Sequence, residues 1–300
     1  MNYDNQAFVF IKTHAAKPEI INYVKDFFKE NNIQIISEAE IKSETIKAKG
    51  LIDKHYAINA RNGTIANPAE LFLNKKAIAN FAENFSISWE DAIKDNKIIS
   101  GLSMKRELNI TGEELRELWV KYKGIKIKGG LYVSYFKDYD KYVLNGFYPS
   151  IRDVFTQSNE KIIYFIAEFA SKELDWKRFR QEIIGATNPN DASEKSVRGY
   201  FHKNNDEYGI VTGYRDNVIH ASASPFEAFI EKNNWIENFD NNIDPLWNLV
   251  SDKMTEKDII NLFDENPKTY IPELDIKQSI IDRLEDKNCA EVANILLTSQ

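Results

Sequence analysis

The stretch "KIIYFIAEF" (161–169) is a short, almost wholly apolar run and the strongest candidate for a buried strand in this sequence. Working outward from it, strand and helix signals alternate along the chain. The other strand candidates are "AFVFIK" (7–12) and "IQIISEAEIK" (33–42), and the helix candidates lie at 18–32, at 44–56, from Pro149 onward and at 171–185. This alternation predicts a small α+β or α/β core, with helices packed on one sheet.

The composition bounds the class of protein. The chain has 300 residues, which is enough for one large domain or two modest ones. Its single cysteine, Cys289, excludes a disulfide framework and a multi-cysteine zinc site, and it fits a reducing compartment. The first residues lack a basic segment followed by an apolar stretch, and no apolar run is long enough to span a bilayer. We therefore expect a protein that works in the cytoplasm, without a membrane partner.

The net charge of −7 is unevenly distributed. Residues 236–300 contain 14 acidic and 6 basic side chains, so the rest of the chain is close to neutral. A protein that binds nucleic acid generally presents a basic face, and we therefore expect no nucleic-acid partner. A near-neutral body can still contain a local basic pocket for a small phosphorylated ligand.

Two segments look like additions to the alternating core. Residues 64–146 contain two helix-start signals and a hairpin, "IKIKGGLYVSYF", that turns on its glycine pair, but they contain no obvious catalytic cluster. Residues 236–300 have the pattern of short amphipathic helices, among them "TEKDIINLF" and "IKQSIIDRLEDKNCAEVANILL". The predicted division is a discontinuous core at 1–63 and 147–235, an inserted unit at 64–146, and an acidic helical extension at 236–300. Either addition is a candidate surface for a protein partner.

The segment "RDNVIHASASPFEAFIEKNNW" (215–235) places His220 just before a helix start. Ser224, Pro225 and Glu227 form a capping pattern, and the backbone N–H groups at a helix N-terminus favour anions. Glu231 lies about two turns into this helix, from where it can fold back toward the imidazole. A histidine that is oriented by a carboxylate and faces an anion site can act as a nucleophile. On this segment alone, however, a histidine with a structural role is the commoner case.

A second polar segment, "ATNPNDASEKSVRG" (186–199), supplies a hydroxyl at Thr187 and a cation at Arg198. This pair can hold a phosphate, because a guanidinium offers a planar fork of charged donors. Lys12, at the end of the first strand candidate, is a further cation. Taken alone, Thr187 and Arg198 are more often part of a capped loop with a solvent-facing arginine, and a lysine such as Lys12 is just as often a solvated strand end.

Together, these segments resemble the nucleoside diphosphate kinase family. The matching segments are "VFIKTHAAK", the pair in "KHYA", "GFYPSIRDVF", "EIIGATNPNDASEKSVRG", and "NVIHASAS" with a glutamate eleven residues past the histidine. The resemblance covers roughly 5–62, 146–200 and 215–236, about half of the chain. It implies an α+β fold with a ferredoxin-like βαββαβ core, an antiparallel sheet and surrounding helices. To this core are added a mixed helix and hairpin insert and a helical C-terminal extension.

The resemblance also implies a role for each matching residue. His220 matches the histidine that is phosphorylated in the family, and Glu231 matches the carboxylate that orients it. Asn217 matches the asparagine near the transferred phosphate, and Ser222 a serine bonded beside the histidine; with Lys12 these five form the implied catalytic set. The implied nucleotide-binding set is Lys12, Tyr56, Phe147, Ile151, Arg180, Gln181, Thr187, Arg198 and Asn217, with Phe147 stacking on the base.

The implied activity is transfer of the γ-phosphate of a nucleoside triphosphate to a nucleoside diphosphate, in two half-reactions through a phosphohistidine. Mg²⁺ is the implied cofactor, held mainly by the nucleotide phosphates and not by a metal site of the protein. A homo-oligomer is also implied. A longer segment between Arg198 and Asn217 puts the usual assembly in question, because that loop borders subunit contacts in the family.

Other departures from the family pattern leave alternatives open. The family has an arginine four residues before the glycine that corresponds to Gly185, whereas this chain has Gln181 there, with Arg180 beside it. After the first lysine the family has Pro-Asp-Gly, and this chain has Thr13, His14 and Ala15. One alternative is a nucleotide-binding regulatory or partner-binding module with weak or no catalysis. The other is a phosphohistidine enzyme with a different phosphate acceptor.

Overall fold

The computed structural model describes residues 3–271 and 275–298. Residues 1–2 of the predicted core, and residues 272–274 and 299–300 of the predicted extension, lie outside the described residues. The chain forms two compact units. The first unit combines Met1–Lys42 with Asn159–Gln300, and the second unit is Ser43–Ser158. Within the described residues, no helix combines the length and the apolar character needed to cross a lipid bilayer.

The elements alternate much as the sequence predicts. The strands are β1 (Asn5–Ile11), β2 (Gln34–Lys42), β3 (Ile98–Ser100), β4 (Ile125–Lys128), β5 (Leu131–Phe136), β6 (Lys141–Leu144), β7 (Lys161–Phe169), β8 (Ile219–Ala221), β9 (Lys268–Ile271) and β10 (Ile276–Ser279). The helices are α1 (Pro18–Glu30), α2 (Ser43–Lys49), α3 (Leu51–His55), α4 (Ala57–Thr64), α5 (Lys75–Phe85), α6 (Trp89–Lys94), α7 (Gly101–Leu108), α8 (Gly112–Tyr122), α9 (Tyr148–Thr156), α10 (Trp176–Arg178), α11 (Val197–Lys203), α12 (Pro225–Trp235), α13 (Pro245–Val250), α14 (Glu256–Glu265), α15 (Ile280–Leu284) and α16 (Cys289–Thr298). Helix α10 continues directly into a π-helical segment, Phe179–Ile184.

The sheet of the first unit has four strands in the order β2-β7-β1-β8, and every neighbouring pair is antiparallel. Numbered by their order within this unit, the strands run 2-3-1-4 across the sheet. This is the ferredoxin-like βαββαβ arrangement, and the α+β prediction is therefore confirmed. The two central strands correspond to the apolar runs "KIIYFIAEF" and "AFVFIK", because a strand covered on both faces is rich in apolar side chains on both.

Both faces of β1 are covered. Val9 lies in a core with Val24 and Phe28 of α1 and Phe201 of α11. Phe8, on the other face of β1, lies beside Trp235 of α12, with ring centroids 6.4 Å apart. The helices on the two faces therefore fix β1 and its neighbour β8 firmly, and β8 contains the candidate nucleophile.

Two predicted helices differ in detail from the observed ones. The helix expected over 44–56 is broken into α2 and α3 at Gly50, whose φ of +62° is left-handed and incompatible with a continuous helix. The helix expected over 171–185 begins only at Trp176, where Asp175 caps it, and most of it winds as the π-helical segment. Both departures are local, and the order of the elements is unchanged.

The second unit is built on a mixed four-stranded sheet in the order β3-β6-β5-β4, in which β3 and β6 are parallel. The predicted hairpin is confirmed as β4 and β5, which turn at Gly129 and Gly130. A side chain at Gly130 would collide with Ile58, and its φ is +70°, so glycine is required there. The core of the sheet is aromatic, with Phe81 and Trp89 packed edge to face at 5.1 Å.

The limits of the second unit differ from those of the predicted insert. It begins at Ser43 and ends at Ser158, so residues 43–63 and 147–158 belong to it, although the sequence assigns them to the discontinuous core. A division into compact units does not show whether 64–146 was inserted into an ancestral chain. The predicted division into a core, an inserted unit and an extension therefore stays a prediction.

The C-terminal extension belongs to the first unit. Its helices share a core with the outer face of α12, where Phe226 and Phe229 pack among Leu246, Val250 and Ile280. The extension is not wholly helical, because β9 and β10 form a two-stranded antiparallel sheet. Residues 276–279, which the sequence assigns to a helix, are therefore a strand.

Candidate active site

His220 lies on β8, next to the central strand β1. It pairs with Phe10, whose ring stacks on the imidazole with centroids 4.6 Å apart. Side chains alternate along a strand, so His220 and Ser222 point to the same face of the sheet, which is the face covered by α12. Ser224 caps α12 by accepting the N–H of Glu227 at 3.2 Å, as the capping pattern predicts.

A chain of hydrogen bonds connects Ser222, Glu231 and His220. Nε2 of His220 lies 2.8 Å from Oε1 of Glu231, and the hydroxyl of Ser222 donates to Oε2 at 2.5 Å. The same hydroxyl accepts the backbone N–H of Phe8 at 3.2 Å. Glu231 is almost fully buried, so these bonds form in a low-dielectric environment, where they are strong. The predicted orientation of the histidine by this carboxylate is present in the geometry.

This bond fixes the chemistry of the imidazole. When Nε2–H donates to a carboxylate, the neutral ring carries its lone pair on Nδ1. Burial lowers the pKa of His220 well below its ordinary value, and the positive charges of Lys12, Arg198 and Arg180 lower it further. His220 is therefore neutral at physiological pH, which is the form that can attack phosphorus.

A strained turn precedes the histidine. Val218 is fully buried and has a φ of +70°, a conformation that a β-branched residue rarely adopts. The N–H of Ile219 donates to the carbonyl of Asn217 at 2.8 Å, which closes a γ-turn around Val218. Such strain costs about 1–3 kcal/mol and tends to occur at functional sites. The turn sets the direction of Asn217, just before β8 begins.

Asn217 is almost fully buried and connects the turn to the loop that contains Thr187. Its amide donates to the carbonyl of Thr187 at 2.8 Å, whereas its Oδ1 accepts no hydrogen bond from any described residue. A buried acceptor without a partner is costly, and it calls for a water molecule or a ligand hydroxyl. The hydroxyl of Thr187 itself lies on an exposed residue.

Two of the predicted cations lie around the turn and β8. Lys12 follows β1 directly, and its ammonium donates to the carbonyl of Arg215 at 2.7 Å. Burial, followed by the positive charge of Arg198, lowers the pKa of Lys12 to about 7. Arg198 donates hydrogen bonds to two backbone carbonyls: Nη2 lies 2.9 Å from the oxygen of Ile219, and Nη1 lies 2.8 Å from the oxygen of Gly185. Arg198 therefore ties β8 to the preceding loop as well as contributing positive charge.

The π-helical segment places Arg180 and Gln181 in different surroundings. Arg180 lies close enough to His220 for its charge to lower the pKa of the imidazole, and it is bound by Glu285 and Asp286 of the extension. Gln181 is exposed and lines a surface groove with Asn31 at the end of α1. The segment thus brings Arg180, and not Gln181, toward the histidine. The nucleotide-binding role of Gln181 stays a prediction that this placement does not favour.

Three predicted nucleotide-binding residues belong to the second unit. Tyr56 ends α3, and its ring lies 4.7 Å edge-on to that of His55. Phe147 is partly buried and contacts the ring of Trp119 edge to face at 5.6 Å. Ile151 lies on α9 and is partly buried. Their roles toward a nucleotide stay predictions.

One buried carboxyl near the site was not predicted as a site residue. Glu227 lies one turn before Glu231 on α12 and accepts the backbone N–H of Ala223 at 3.2 Å. Burial, reinforced by the charge of Glu231, raises the pKa of Glu227 to about 7. Two glutamates at i and i+4 on a helix with apolar flanks are a signal that could have indicated this pair, because they share one face.

The donor set around His220 bears on the implied Mg²⁺. Among the described residues of the first unit, the carboxylates near the site already have partners: Glu231 is bonded to His220 and Ser222, Asp216 to Arg215 at 2.8 Å, and Glu227 to the N–H of Ala223. A divalent cation bound by protein usually takes several carboxylate oxygens. These residues do not offer such a cage, but they fit a Mg²⁺ ion that is carried by phosphate oxygens.

Comparisons with known proteins give structural likenesses only. No protein-family model matches the chain, and no curated protein matches its sequence. Solved structures of nucleoside diphosphate kinases are similar in part. The enzyme from Encephalitozoon cuniculi is 13% identical over 79% of this chain and 90% of its own, with a TM-score of 0.37. The enzyme from Pyrobaculum aerophilum is 14% identical over 78% and 96%, with a TM-score of 0.38.

A third similar structure is the Borrelia burgdorferi nucleoside-diphosphate kinase described as a transition state mimic with bound vanadate and ADP. It is 15% identical over 78% of this chain and 87% of its own, with a TM-score of 0.34. The assignment of the fold rests on the strand order of the first unit, which is that of a ferredoxin-like sheet.

Proposed function

We propose that this chain is a phosphotransferase of the nucleoside diphosphate kinase type, which passes the γ-phosphate of a nucleoside triphosphate to a nucleoside diphosphate through phosphorylated His220. The observation that carries the proposal is the hydrogen-bond chain from Ser222 through Glu231 to Nε2 of His220. A merely structural histidine has no need of a buried carboxylate that is itself oriented by a hydroxyl. This arrangement holds the ring and selects the nucleophilic nitrogen.

In the first half-reaction, Nδ1 of His220 attacks the γ-phosphorus, and the bond from phosphorus to the β–γ bridging oxygen breaks. The diphosphate leaves with that electron pair. The proton on Nε2 stays in its bond to Glu231, whose negative charge stabilises the positive charge that develops on the ring. In the second half-reaction, a terminal oxygen of the acceptor diphosphate attacks the same phosphorus, and the N–P bond breaks to restore the neutral imidazole.

The cations around β8 supply the charge neutralisation that phosphoryl transfer needs. Lys12 and Arg198 are the proposed phosphate contacts, with Thr187 as a neutral donor. Mg²⁺, carried by the nucleotide phosphates, would neutralise further charge on them. Asn217, whose Oδ1 accepts no hydrogen bond from any described residue, is proposed to accept one from a hydroxyl of the bound nucleotide.

The nucleotide-binding roles of Tyr56, Phe147 and Ile151, with Phe147 stacking on the base, are proposed from the resemblance. The ligands proposed for the chain are nucleoside tri- and diphosphates, in the cytoplasm. Self-association, and a protein partner at 64–146 or 236–300, belong to the same proposal.

The test is a steady-state transfer assay with ATP, Mg²⁺ and a panel of nucleoside diphosphates. A ping-pong enzyme gives parallel double-reciprocal lines when both substrates are varied. We expect this pattern for the wild-type chain, and no transfer for His220→Ala. The matched control is His202→Ala, because His202 lies on α11 in the same unit and its ring is bonded to Thr212 and Asn190. Intersecting lines, or transfer that survives His220→Ala, would refute the phosphohistidine route.

A second candidate is the regulatory or partner-binding module with weak or no catalysis. It is favoured by the engagement of the arginines, because Arg180 is bound by Glu285 and Asp286, and Arg198 by backbone carbonyls. The same assay separates the candidates. Binding of nucleotide without transfer would support the module, and phosphorylation of His220 that no diphosphate removes would indicate another acceptor.

A further inference from the structure

The acidic turn between α15 and α16 reaches the candidate phosphate site. Nη1 of Arg180 lies 2.7 Å from Oε1 of Glu285 and 2.5 Å from Oδ1 of Asp286. Burial opposes the charge of Arg180, but the carboxylates of Asp286 and Glu285 outweigh burial and raise the pKa of the guanidinium further. Arg180 is therefore a permanent cation whose charge the extension already neutralises.

The backbone of this turn is held firmly. The N–H of Asp286 donates to the carbonyl of Ala223, three residues past His220, at 3.1 Å. Two residues later, Oδ1 of Asn288 accepts the N–H of Trp176 at 2.9 Å, at the start of α10. The turn is thus bonded on one side to the segment after β8 and on the other to the helix that leads to Arg180. Because these bonds hold the backbone of the turn, they place the carboxylates of Glu285 and Asp286 beside the guanidinium of Arg180.

The side chains have more freedom than the backbone. That of Glu285 is 45% exposed and that of Asp286 is 29% exposed, so each can turn toward solvent without moving the turn. The ion pairs use Nη1, whereas Nε and Nη2 of Arg180 form no hydrogen bond with any described residue. Carboxylate and phosphate oxygens accept the same charge-assisted bonds from a guanidinium. A phosphate therefore meets either a neutralised Arg180 or, once a carboxylate has turned away, a cation that is able to bind it.

We infer that Glu285 and Asp286 are affinity-determining residues, which compete with a nucleotide phosphate for Arg180. This inference rests on the proposed function, since it takes the anion at β8 to be a nucleotide. Two carboxylates on one guanidinium leave this corner of the site with a net negative charge, which opposes a phosphate at short range. The C-terminal extension thereby sets the affinity of the site, and a partner or modification that removes either carboxylate from Arg180 would raise it.

The experiment is equilibrium binding of ADP in the presence of Mg²⁺, measured by calorimetry on the full chain, which requires no catalysis. We expect Glu285→Gln with Asp286→Asn to lower the Kd by about fivefold or more, and Glu285→Gln alone to lower it less. The matched control is Asp252→Asn, which removes an exposed acidic charge from the extension at a site that forms no ion pair in the described structure. This control should leave the Kd unchanged.

The role of Arg180 is tested by repeating the double substitution in an Arg180→Gln background, where the decrease in the Kd for ADP should be less than about twofold. An equal gain in both backgrounds, or no gain with Arg180 present, would overturn the inference and leave the proposed function standing. Absence of ADP binding in every variant would remove the proposed function and the inference together. Should the double variant fold poorly by circular dichroism, the exposed Glu285→Gln variant alone decides, and an unchanged Kd then refutes the competition.

Discussion

Nε2 of His220 and Oε1 of Glu231 lie 2.8 Å apart, although the two residues are on different elements of the first unit. The strand β8 directs the imidazole toward α12, and the seventh residue of α12 returns the carboxylate to it. Since both elements are packed against β1, the bond requires no rearrangement before reaction. Such preorganisation is what an enzyme uses to stabilise developing charge at low reorganisation cost.

The first expectation concerns Glu231. Glu231→Ala should slow phosphorylation of His220 by about tenfold to a hundredfold, equivalent to about 1.4–2.7 kcal/mol, because the ring loses its orienting carboxylate. Quenched-flow labelling with γ-labelled ATP measures the rate, and circular dichroism confirms the fold. Glu227→Gln is the matched control, since Glu227 lies one turn earlier on the same helix without a bond to His220. Unchanged labelling kinetics in Glu231→Ala would contradict the role that we assign to it.

The second expectation concerns Lys12, whose folded pKa of about 7 lies below its ordinary value of 10.5. In the unliganded site, Lys12 is therefore largely protonated at pH 6 and largely neutral at pH 9, so the Kd for ADP should rise with pH through this interval. Lys12→Arg stays protonated throughout and should flatten the profile, and it also controls for ionisation of the nucleotide. Profiles of equal slope in the two proteins would show that Lys12 does not titrate at the site.

The lowered pKa of Lys12 should also make the free energy of unfolding depend on pH. Between about pH 7 and 10.5 the unfolded chain binds more protons at Lys12 than the folded chain does, so this group makes the free energy of unfolding rise with pH. The rise ends as the pH passes the unfolded pKa. Lys12→Met should lose this increment in urea titrations at pH 7 and pH 9, and an identical pH dependence in both proteins would argue against a depressed pKa.

The third expectation concerns the strained turn at Val218. Glycine in an extended segment is normally less stable than alanine, but glycine adopts positive φ without steric cost. At Val218, with φ of +70°, Val218→Gly should therefore be more stable than Val218→Ala, by about 1 kcal/mol. Val218→Gly loses one buried carbon more than Val218→Ala, which works against it, so a more stable glycine variant can only reflect relief of the backbone. The reverse order in chemical denaturation would mean that the turn is not strained.

The fourth expectation concerns the buried ion pair between Lys232 of α12 and Asp244 at the start of α13, both almost fully inaccessible to solvent. Lys232→Met should lower the free energy of unfolding by about 3–5 kcal/mol, because it leaves a buried carboxylate without its counter-charge. Adding Asp244→Asn, which keeps an oxygen to cap α13, should recover part of this loss. If urea denaturation shows no recovery of the free energy of unfolding in the double variant, the loss in Lys232→Met comes from packing and not from the unpaired charge.

The sequence was most informative where interactions are local or covered on both faces. The strands β1 and β7 were predictable because their side chains are apolar in nearly every position. The pairing of His220 with Glu231 was predictable from an eleven-residue step that spans a strand end, a cap and two helical turns. The strand signal is local, whereas the role of Glu231 toward His220 was predicted from the family resemblance as well as from the local pattern.

The remaining features depend on long-range or strained geometry. Gln181 stands four residues before Gly185 in the sequence, but in the π-helical segment it is the neighbouring Arg180 whose charge acts on His220. The contact of Arg180 with Asp286 joins residues more than a hundred positions apart, and no local pattern encodes it. The γ-turn at Val218 could not be predicted from the sequence either, because β-branched residues seldom adopt a positive φ.

The central claim is that His220 carries the phosphate between donor and acceptor. The most direct measurement is a single-turnover experiment with γ-labelled ATP and Mg²⁺, followed by peptide mapping and a chase with a nucleoside diphosphate. We expect acid-labile, base-stable label on His220 that the diphosphate removes as labelled triphosphate, and no label on His220→Ala. Label on another residue, or a folded, ATP-binding chain that takes up no label, would contradict the account.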